Sequence, residues 1–540
     1  MGSIRGMEQN PASALFVVFA AIVVLVTIAN RINIAYPIVL VLGGIAIGFI
    51  PHVPTIELRP DMVLVVFLPP LLYWESVTAP TSEFRANAWW IFQMAFGLVI
   101  LTTAAVALVA HAIVPGMGWG VAFVLGAIVS STDEVAFVAI ADRLNVPRHI
   151  IGTIEGESLV NDATSLILYG VGIAAVVGAS FSLSHAFGAL ALSVVEAVAI
   201  GLAAGGLAVL AWRVIQDETL QGVISVVVPF VAYLPAYYIG ASGVLATVVA
   251  GIFISRFTPN VLLPMTRETM TGFWVTIVFL LNAFIFVEVG IRFHDIVSRL
   301  NVYSPGQLIW WGSAIAAVCI LARLAWTFAQ GLLPITNEPE HVGGKADWSH
   351  VSVLAWTGMR GGISLAAALA IPLETAAGPF PYRDLLIFIT FVVLLATLVG
   401  QGGTLPYLIR WLRVKDDLAA QGEERVALAA TACAGLECLE QMEREGNVPR
   451  LVLELQRKRL RARYAEFGES AEGAAATTAA FRRVERHLLD TQRKRLIELR
   501  SEGKIDNTVM RRVLRVLDLQ AVEIALLDST GHEKIEEEGE

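Results

Sequence analysis

The stretch STDEVAFVAIADRLNVPRHIIGTIEGESLVNDATSLILYG, residues 131–170, decides how this chain must fold. It runs through two successive apolar segments and carries more polar groups than either can show to lipid. The first segment, LGAIVSSTDEVAFVAI, holds Ser130, Ser131, Thr132, Asp133 and Glu134 in succession at its middle. Five such residues will not sit in a lipid-facing helix, because an ionisable group at mid-bilayer is costly and marks a functional site by default. Unwound backbone is tolerated at that depth where it lines a polar cavity, and broken helices of this kind build ion sites from carbonyls and helix ends. The competing reading is a plain loop between two shorter segments.

The second segment carries Glu155, Glu157, Ser158, Asn161 and Asp162. On a helix the last four are joined by i,i+3 and i,i+4 spacings and share one face. That face offers carboxylates, a hydroxyl and an amide carbonyl, the oxygen ligands a hard cation requires. Partial removal from water makes a carboxylate hold its proton more firmly. Such a group accepts either a proton or a cation, and each excludes the other. A polar clamp between helices would use the same residue types.

Outward from this stretch, the 540-residue chain is 56% hydrophobic, with a mean hydropathy of +0.68. Such values belong to membrane bundles. Charge is unevenly placed: residues 1–414 hold 17 Lys/Arg and 22 Asp/Glu, and residues 415–540 hold 21 and 25. The division expected is a transmembrane domain, residues 1–413, and a helical cytoplasmic tail, residues 414–540. The tail runs LVLELQRKRLRARYAEF and FRRVERHLLDTQRKRLIELR place apolar residues at helical spacing. AEGAAATT reads as a linker and the terminal EKIEEEGE as disordered. A solvated helical appendage is the favoured reading of this tail, with a regulatory or dimerising element as the alternative.

Apolar runs of membrane-spanning length fall at about 13–29, 35–50, 62–78, 88–113, 119–141, 151–179, 186–212, 220–238, 242–256, 270–291, 306–330, 350–373 and 384–411. Thirteen spans put the two ends on opposite sides. With the tail inside, the inner loops carry Arg31, Arg85, Arg143, Arg148, Arg213, Arg256, Arg267 and Lys345. The outer ones carry Arg5, Arg59, Arg292, Arg299 and Arg383. Excess positive charge inside favours a cytoplasmic tail, and Arg410, Arg413 and Lys415 add to it. The N-terminal run lacks a small-residue cleavage site and reads as a first span rather than a removed signal. Cys319, Cys433 and Cys438 form neither a zinc pattern nor a disulfide framework. No basic patch with interleaved aromatics suggests nucleic acid.

Buried carboxylates need partners. Arg323, in AIAAVCILARLAWTFAQG, is the one cation of its apolar segment, and Arg360 sits among glycines in WTGMRGGISLAAALA. Glu157 paired with either would be neutral, leaving Asp162 to titrate. Glu75, after FLPPLLYW, points either into a cavity or to an interface. Glu288 lies near a segment end, where it would snorkel, and Glu196 suggests no role. The runs GLAAGGLA and SGVLATVVAG read as close helix packing. Gly240-Ala241-Ser242-Gly243 matches a GxSG pattern of intramembrane serine proteases. A nucleophilic serine needs a base, and the nine histidines fall in loops, at span ends or in the tail. No catalytic residue is therefore expected.

Seven motifs, FLPPLLYWES (67–76), STDEVAFVAI (131–140), GESLVNDATSLILY (156–169), ASGVLA (241–246), FLLNAFIFVEVGI (279–291), GMRGGISLA (358–366) and LVGQGGTLP (398–406), together resemble one family. It is the monovalent cation–proton antiporter superfamily, in the sodium/proton exchanger branch that includes the NhaP proteins. The resemblance spans about residues 15–411. It implies an all-α fold of thirteen transmembrane helices with inverted repeats, a core domain moving against a dimerisation domain, and a homodimer in the cell membrane. It implies crossing broken helices at Thr132–Asp133 and near Gly358–Gly362. The ion-binding aspartate falls on Asp162, preceded by Asn161. Ser158 and Thr132 match oxygen donors, and Asp133 the broken-helix aspartate. Glu157 matches an acid paired with a later arginine, here Arg323, and Arg360 the arginine of the glycine-rich motif. A Na+ or K+ ion would then sit at Asp162, Ser158 and Thr132.

Four features depart from the family pattern. Glu134 stands where proline is common, Tyr237 where a glutamate is often found, and Glu288 where an apolar residue is usual. Glu75 is displaced by one through Trp74. The activity implied is exchange of Na+, K+ or Li+ for H+, serving pH homeostasis, with no cofactor. One titrating carboxylate, with asparagine at 161, implies electroneutral 1:1 coupling. A cation channel or a cation-coupled symporter could use the same site. The tail lacks a strand–GxGxxG–helix unit, so a nucleotide-gated potassium efflux protein is not expected.

Overall fold

The fold is that of a computed structural model. It describes residues 11–50, 53, 60–79, 88–141, 144, 146–177, 183–332, 341–342, 345–346, 348–375, 378–414, 418–445, 448–467, 475–502, 504 and 507–529. The first fifteen helices are α1 (Pro11–Ile32), α2 (Tyr36–Gly48), α3 (Val63–Thr78), α4 (Trp89–Ile113), α5 (Trp119–Ser130), α6 (Val135–Ala141), α7 (Arg148–Val177), α8 (Leu183–Val214), α9 (Glu218–Tyr238), α10 (Gly243–Val261), α11 (Pro264–Arg299), α12 (Pro305–Leu332), α13 (Trp348–Trp356), α14 (Gly362–Leu369) and α15 (Arg383–Leu412). Among the described residues the helices are interrupted by two ribbons of two-residue strands, His341–Val342 with Lys345–Ala346 and Glu374–Thr375 with Gly378–Pro379.

Ten stretches among the described residues are long and apolar enough to cross a membrane. They match ten of the thirteen expected segments to within a few residues, except that α11 is much longer than its apolar run. Of the remaining three, α2 and α3 are shorter apolar helices, and 350–373 is split between α13 and α14. Length and apolarity alone therefore yield ten spans.

The helices pack in sets. α4, α5, α7, α12 and α15 adjoin one another, α8, α9 and α10 pack together and onto α3, and α11 lies along α2. Small residues permit this closeness, because van der Waals packing rather than water drives helix association in lipid. An added Cβ at Gly44 would meet Val287 O at 2.6 Å, and one at Gly201 would strike Ala246 O. Gly251 lies against Tyr73 and Ser76 in the same way, as the small-residue runs suggest.

Ser242 of the GxSG pattern caps α10, its hydroxyl accepting from Leu245 N at 3.2 Å. Gly240 before it takes a φ of +82°. The motif is a turn followed by a helix cap. Glu288 does not snorkel: α11 continues to Arg299, so this residue is inside the helix. It is fully buried and accepts from Arg292 at 2.8 Å.

The chain divides into two compact units, Met1–Lys415 and Asp416–Glu540. The second contains α16 (Leu418–Glu445), α17 (Arg450–Phe467), α18 (Ala475–Ser501) and α19 (Asn507–Ser529). Within it α16 packs on α17 and α18 on α19. Arg493–Asp518 at 2.7 Å and Arg459–Glu523 at 3.3 Å join these helices. The expected linker AEGAAATT is corrected in part: residues 475–478 begin α18. Residues 471–474, the terminal EKIEEEGE, and Arg5, Arg59, Arg85, Arg143 and Lys415 of the orientation argument lie outside the described residues.

Candidate functional site

The polar run at 130–134 breaks its segment as the sequence requires. α5 stops at Ser130, Ser131 is extended (φ −64°, ψ 135°), and α6 starts at Val135. Asp133 caps α6, its Oδ1 accepting from Val135 N at 2.8 Å. A second break separates α13 from α14 at residues 357–361. The two breaks meet. Asp133 N donates to Met359 O at 2.8 Å, and Gly362 N donates to Asp133 Oδ2 at 3.3 Å. A Cβ at Gly361 would collide with the Asp133 carboxylate.

Arg360 binds the first break rather than an acid. Its Nη1 donates to Ser130 O and, at 2.8 Å, to Ser131 O, two carbonyls left over when the helix ends. Ser364 Oγ adds a bond of 3.3 Å to Ser131 O, and Thr397 Oγ1 accepts from Arg360 N at 3.1 Å. Glu157 pairs instead with Arg323, bidentately, with Nη2–Oε2 at 2.9 Å. Both side chains are about 1% exposed. Arg323 Nε also donates to Leu354 O at 3.1 Å, tying α12 to α13. The two candidate partners of Glu157 are thus separated.

Unwinding brings Thr132 onto the polar face of α7. Ser158 Oγ donates to Thr132 O at 3.0 Å, and Asn161 Nδ2 donates to Thr132 Oγ1 at 2.8 Å. Thr132 Oγ1 in turn donates to Glu157 Oε1 at 3.4 Å. Asp162 accepts from Ser131 Oγ. Among the described residues no arginine or lysine is ion-paired with Asp162. Glu157, Ser158, Asn161 and Asp162 are all buried, as one shared inward face demands.

Asp162, Ser158, Thr132 and Asp133 line a small polar cavity, together with Glu75 of α3 and Asn282 of α11. Glu75 therefore points inward, and its buried Oε2 has no hydrogen-bond partner among the described residues. Glu134 is partly buried and is not among the lining residues. It lies within electrostatic reach of Glu75, Glu155, Asp133 and Asp162. A narrow crevice without room for a water molecule lies against Ser165 and Tyr169, and Ser131, Ile363 and Ser364 border both it and the cavity. Two contributors went unassigned in the sequence. Ser131 was one hydroxyl among five polar neighbours, and Asn282 was a single amide in an apolar run.

A bundle of apolar helices whose two broken segments meet around buried carboxylates is a multi-pass membrane transporter by construction. The chain belongs to the transmembrane sodium/hydrogen exchanger family, which it matches over residues 17–411. It is 34% identical to the uncharacterized Na(+)/H(+) exchanger Rv2287 of Mycobacterium tuberculosis, over 94% of this chain and 95% of that one. It is 30% identical to the sodium, potassium, lithium and rubidium/H(+) antiporter of Bacillus subtilis, over 73% and 61% respectively. Its fold is similar to that of the sodium proton antiporter MjNhaP1 of Methanocaldococcus jannaschii, with a TM-score of 0.59 and 18% identity, covering 73% of this chain and all of that one.

Proposed function

We propose that this chain exchanges Na+, K+ or Li+ for H+ through one carboxylate, Asp162, by alternating access. The observation that carries this reading is the division of labour between two adjacent acids. Glu157 is neutralised by Arg323, whereas Asp162 faces a polar cavity with a serine hydroxyl as its neighbour. The first is structural, and the second is available to a proton or a cation. The cation's ligands are the Asp162 carboxylate and the oxygens of Thr132 and Ser158, with Asn161 orienting Thr132 and Asp133 holding the two breaks together. Oxygen donors of this kind suit a hard monovalent ion. Arg360, bound to two carbonyls, keeps the first break open. Glu75 and Glu134 add negative potential that concentrates cations near the site.

With asparagine at 161, one charge is exchanged for another, so turnover is electroneutral at 1:1. The broken-helix set rocks against the remaining helices in a homodimer in the cell membrane, with the tail cytoplasmic and regulatory and the whole serving pH homeostasis. In reconstituted vesicles with an internal pH dye, a cation gradient collapses ΔpH for the parent. Asp162→Asn abolishes that response if the reading is right, and normal exchange by the variant overturns it. Proton flux indifferent to the cation gradient would indicate a channel instead, and proton movement in the same direction as the cation a symporter.

A further inference from the structure

One cavity-lining group has no place in the site described so far. Asn282 lies in α11 within FLLNAFIFVEV, a run otherwise apolar up to Glu288. It is 4% exposed and lines the cavity beside Asp162. Among the described residues its amide makes no hydrogen bond or ion pair. An amide that lines a polar cavity without a protein partner is placed to meet one that comes and goes. Room has been made for it: a Cβ at Gly362 would stand 2.9 Å from Asn282 Oδ1. The amide oxygen therefore rests over the second break, where any side chain in place of Gly362 would crowd it. Asn282 also approaches from a different set of helices. α11 packs along α2, whereas Asp162 and Ser158 are on α7, packed with α5.

We propose that Asn282 Oδ1 is a further ligand of the alkali cation, reaching it across the cavity from Asp162, and that it sets the order of preference among Li+, Na+ and K+. This rests on the reading of Asp162 as the shared seat. A neutral carbonyl oxygen replaces one water of the cation's shell. Small, strongly hydrated ions depend most on each replacement oxygen, so loss of Asn282 falls hardest on Li+ and Na+. When Asp162 is protonated the seat needs no such oxygen. The amide therefore acts on cation affinity and leaves proton loading intact.

The test uses the full chain in vesicles, with exchange rates followed over Li+, Na+ and K+ concentrations. Asn282→Ala raises the KM for Na+ and Li+ on the order of 10-fold and that for K+ less, with kcat largely kept. Asn282→Ser, which restores an oxygen, recovers part of the loss. A merely structural asparagine would lower kcat or protein yield for all three cations alike and leave their order unchanged. Unchanged KM values and cation order in Asn282→Ala, with Asp162→Asn inactive, overturn this inference and spare the exchange reading. An active Asp162→Asn overturns both. If neither variant accumulates in the membrane, the residue belongs to folding and the proposal falls.

Discussion

Replacing Glu157 with glutamine isolates the structural half of the acid pair. Arg323 is about 1% exposed and held bidentately by Glu157. Glu157→Gln keeps the shape and removes the charge, leaving a buried guanidinium uncompensated. Breaking such a pair by removing one partner costs about 3–5 kcal/mol, a shift of roughly two to three and a half powers of ten in the unfolding constant. Removing both charges is different. In Glu157→Leu/Arg323→Met the apolar side chains fill similar volume, and the swap is near neutral. Two loose ends are the Leu354 carbonyl, which loses its bond from Arg323 Nε, and the Thr132 hydroxyl, which loses its long bond to Glu157 Oε1. Thr357 Oγ1 still donates to the first at 3.0 Å, and Asn161 Nδ2 still donates to the second at 2.8 Å. Reversible unfolding in mixed micelles, titrated with SDS, measures the cycle. The double variant is expected to be more stable than either single change. A Glu157→Gln protein within about 1 kcal/mol of the parent, well below the value for a broken buried pair, would refute the reasoning. So would a double variant as damaged as the sum of its parts.

Gly361→Ala drives a methyl group into the Asp133 carboxylate; it separates the two breaks and abolishes exchange, checked against membrane abundance by immunoblot. Thr132→Val keeps the shape but removes an oxygen; the KM for cation rises on the order of 10-fold, read from the same vesicle assay, and the buried Asn161 Nδ2 that it orphans costs about 1–3 kcal/mol of stability, read by SDS titration. Cys319 is buried while Cys433 and Cys438 are exposed; a bulky maleimide adds two labels to the native protein and three after denaturation, counted by mass spectrometry.

The breaks were legible because polarity at mid-bilayer has few physical remedies. Five polar residues at 130–134 demanded an unwound helix, and the spacing of Glu157, Ser158, Asn161 and Asp162 demanded one face. The partner of Glu157 was not legible from residue types alone. Arg323 lies 166 positions away, and either arginine satisfies the same charge rule. Geometry separates them, since Arg360 is drawn to the carbonyls that the first break frees. Glu288 misled because the apolar run ends well before its helix does, so a residue near the apparent end is inside the bundle. Asn282 carried too little signal: a single amide in an apolar run has no pattern, and what it faces is set by the approach of α11 to Gly362.

The central claim is that one carboxylate holds a proton or a cation and never both. Purified protein in weakly buffered detergent solution, given increasing Na+, should release protons as the cation binds, close to one per chain at saturation. Asp162→Asn should release none. Cation binding by the parent without proton release, or undiminished release by Asp162→Asn, would contradict the account.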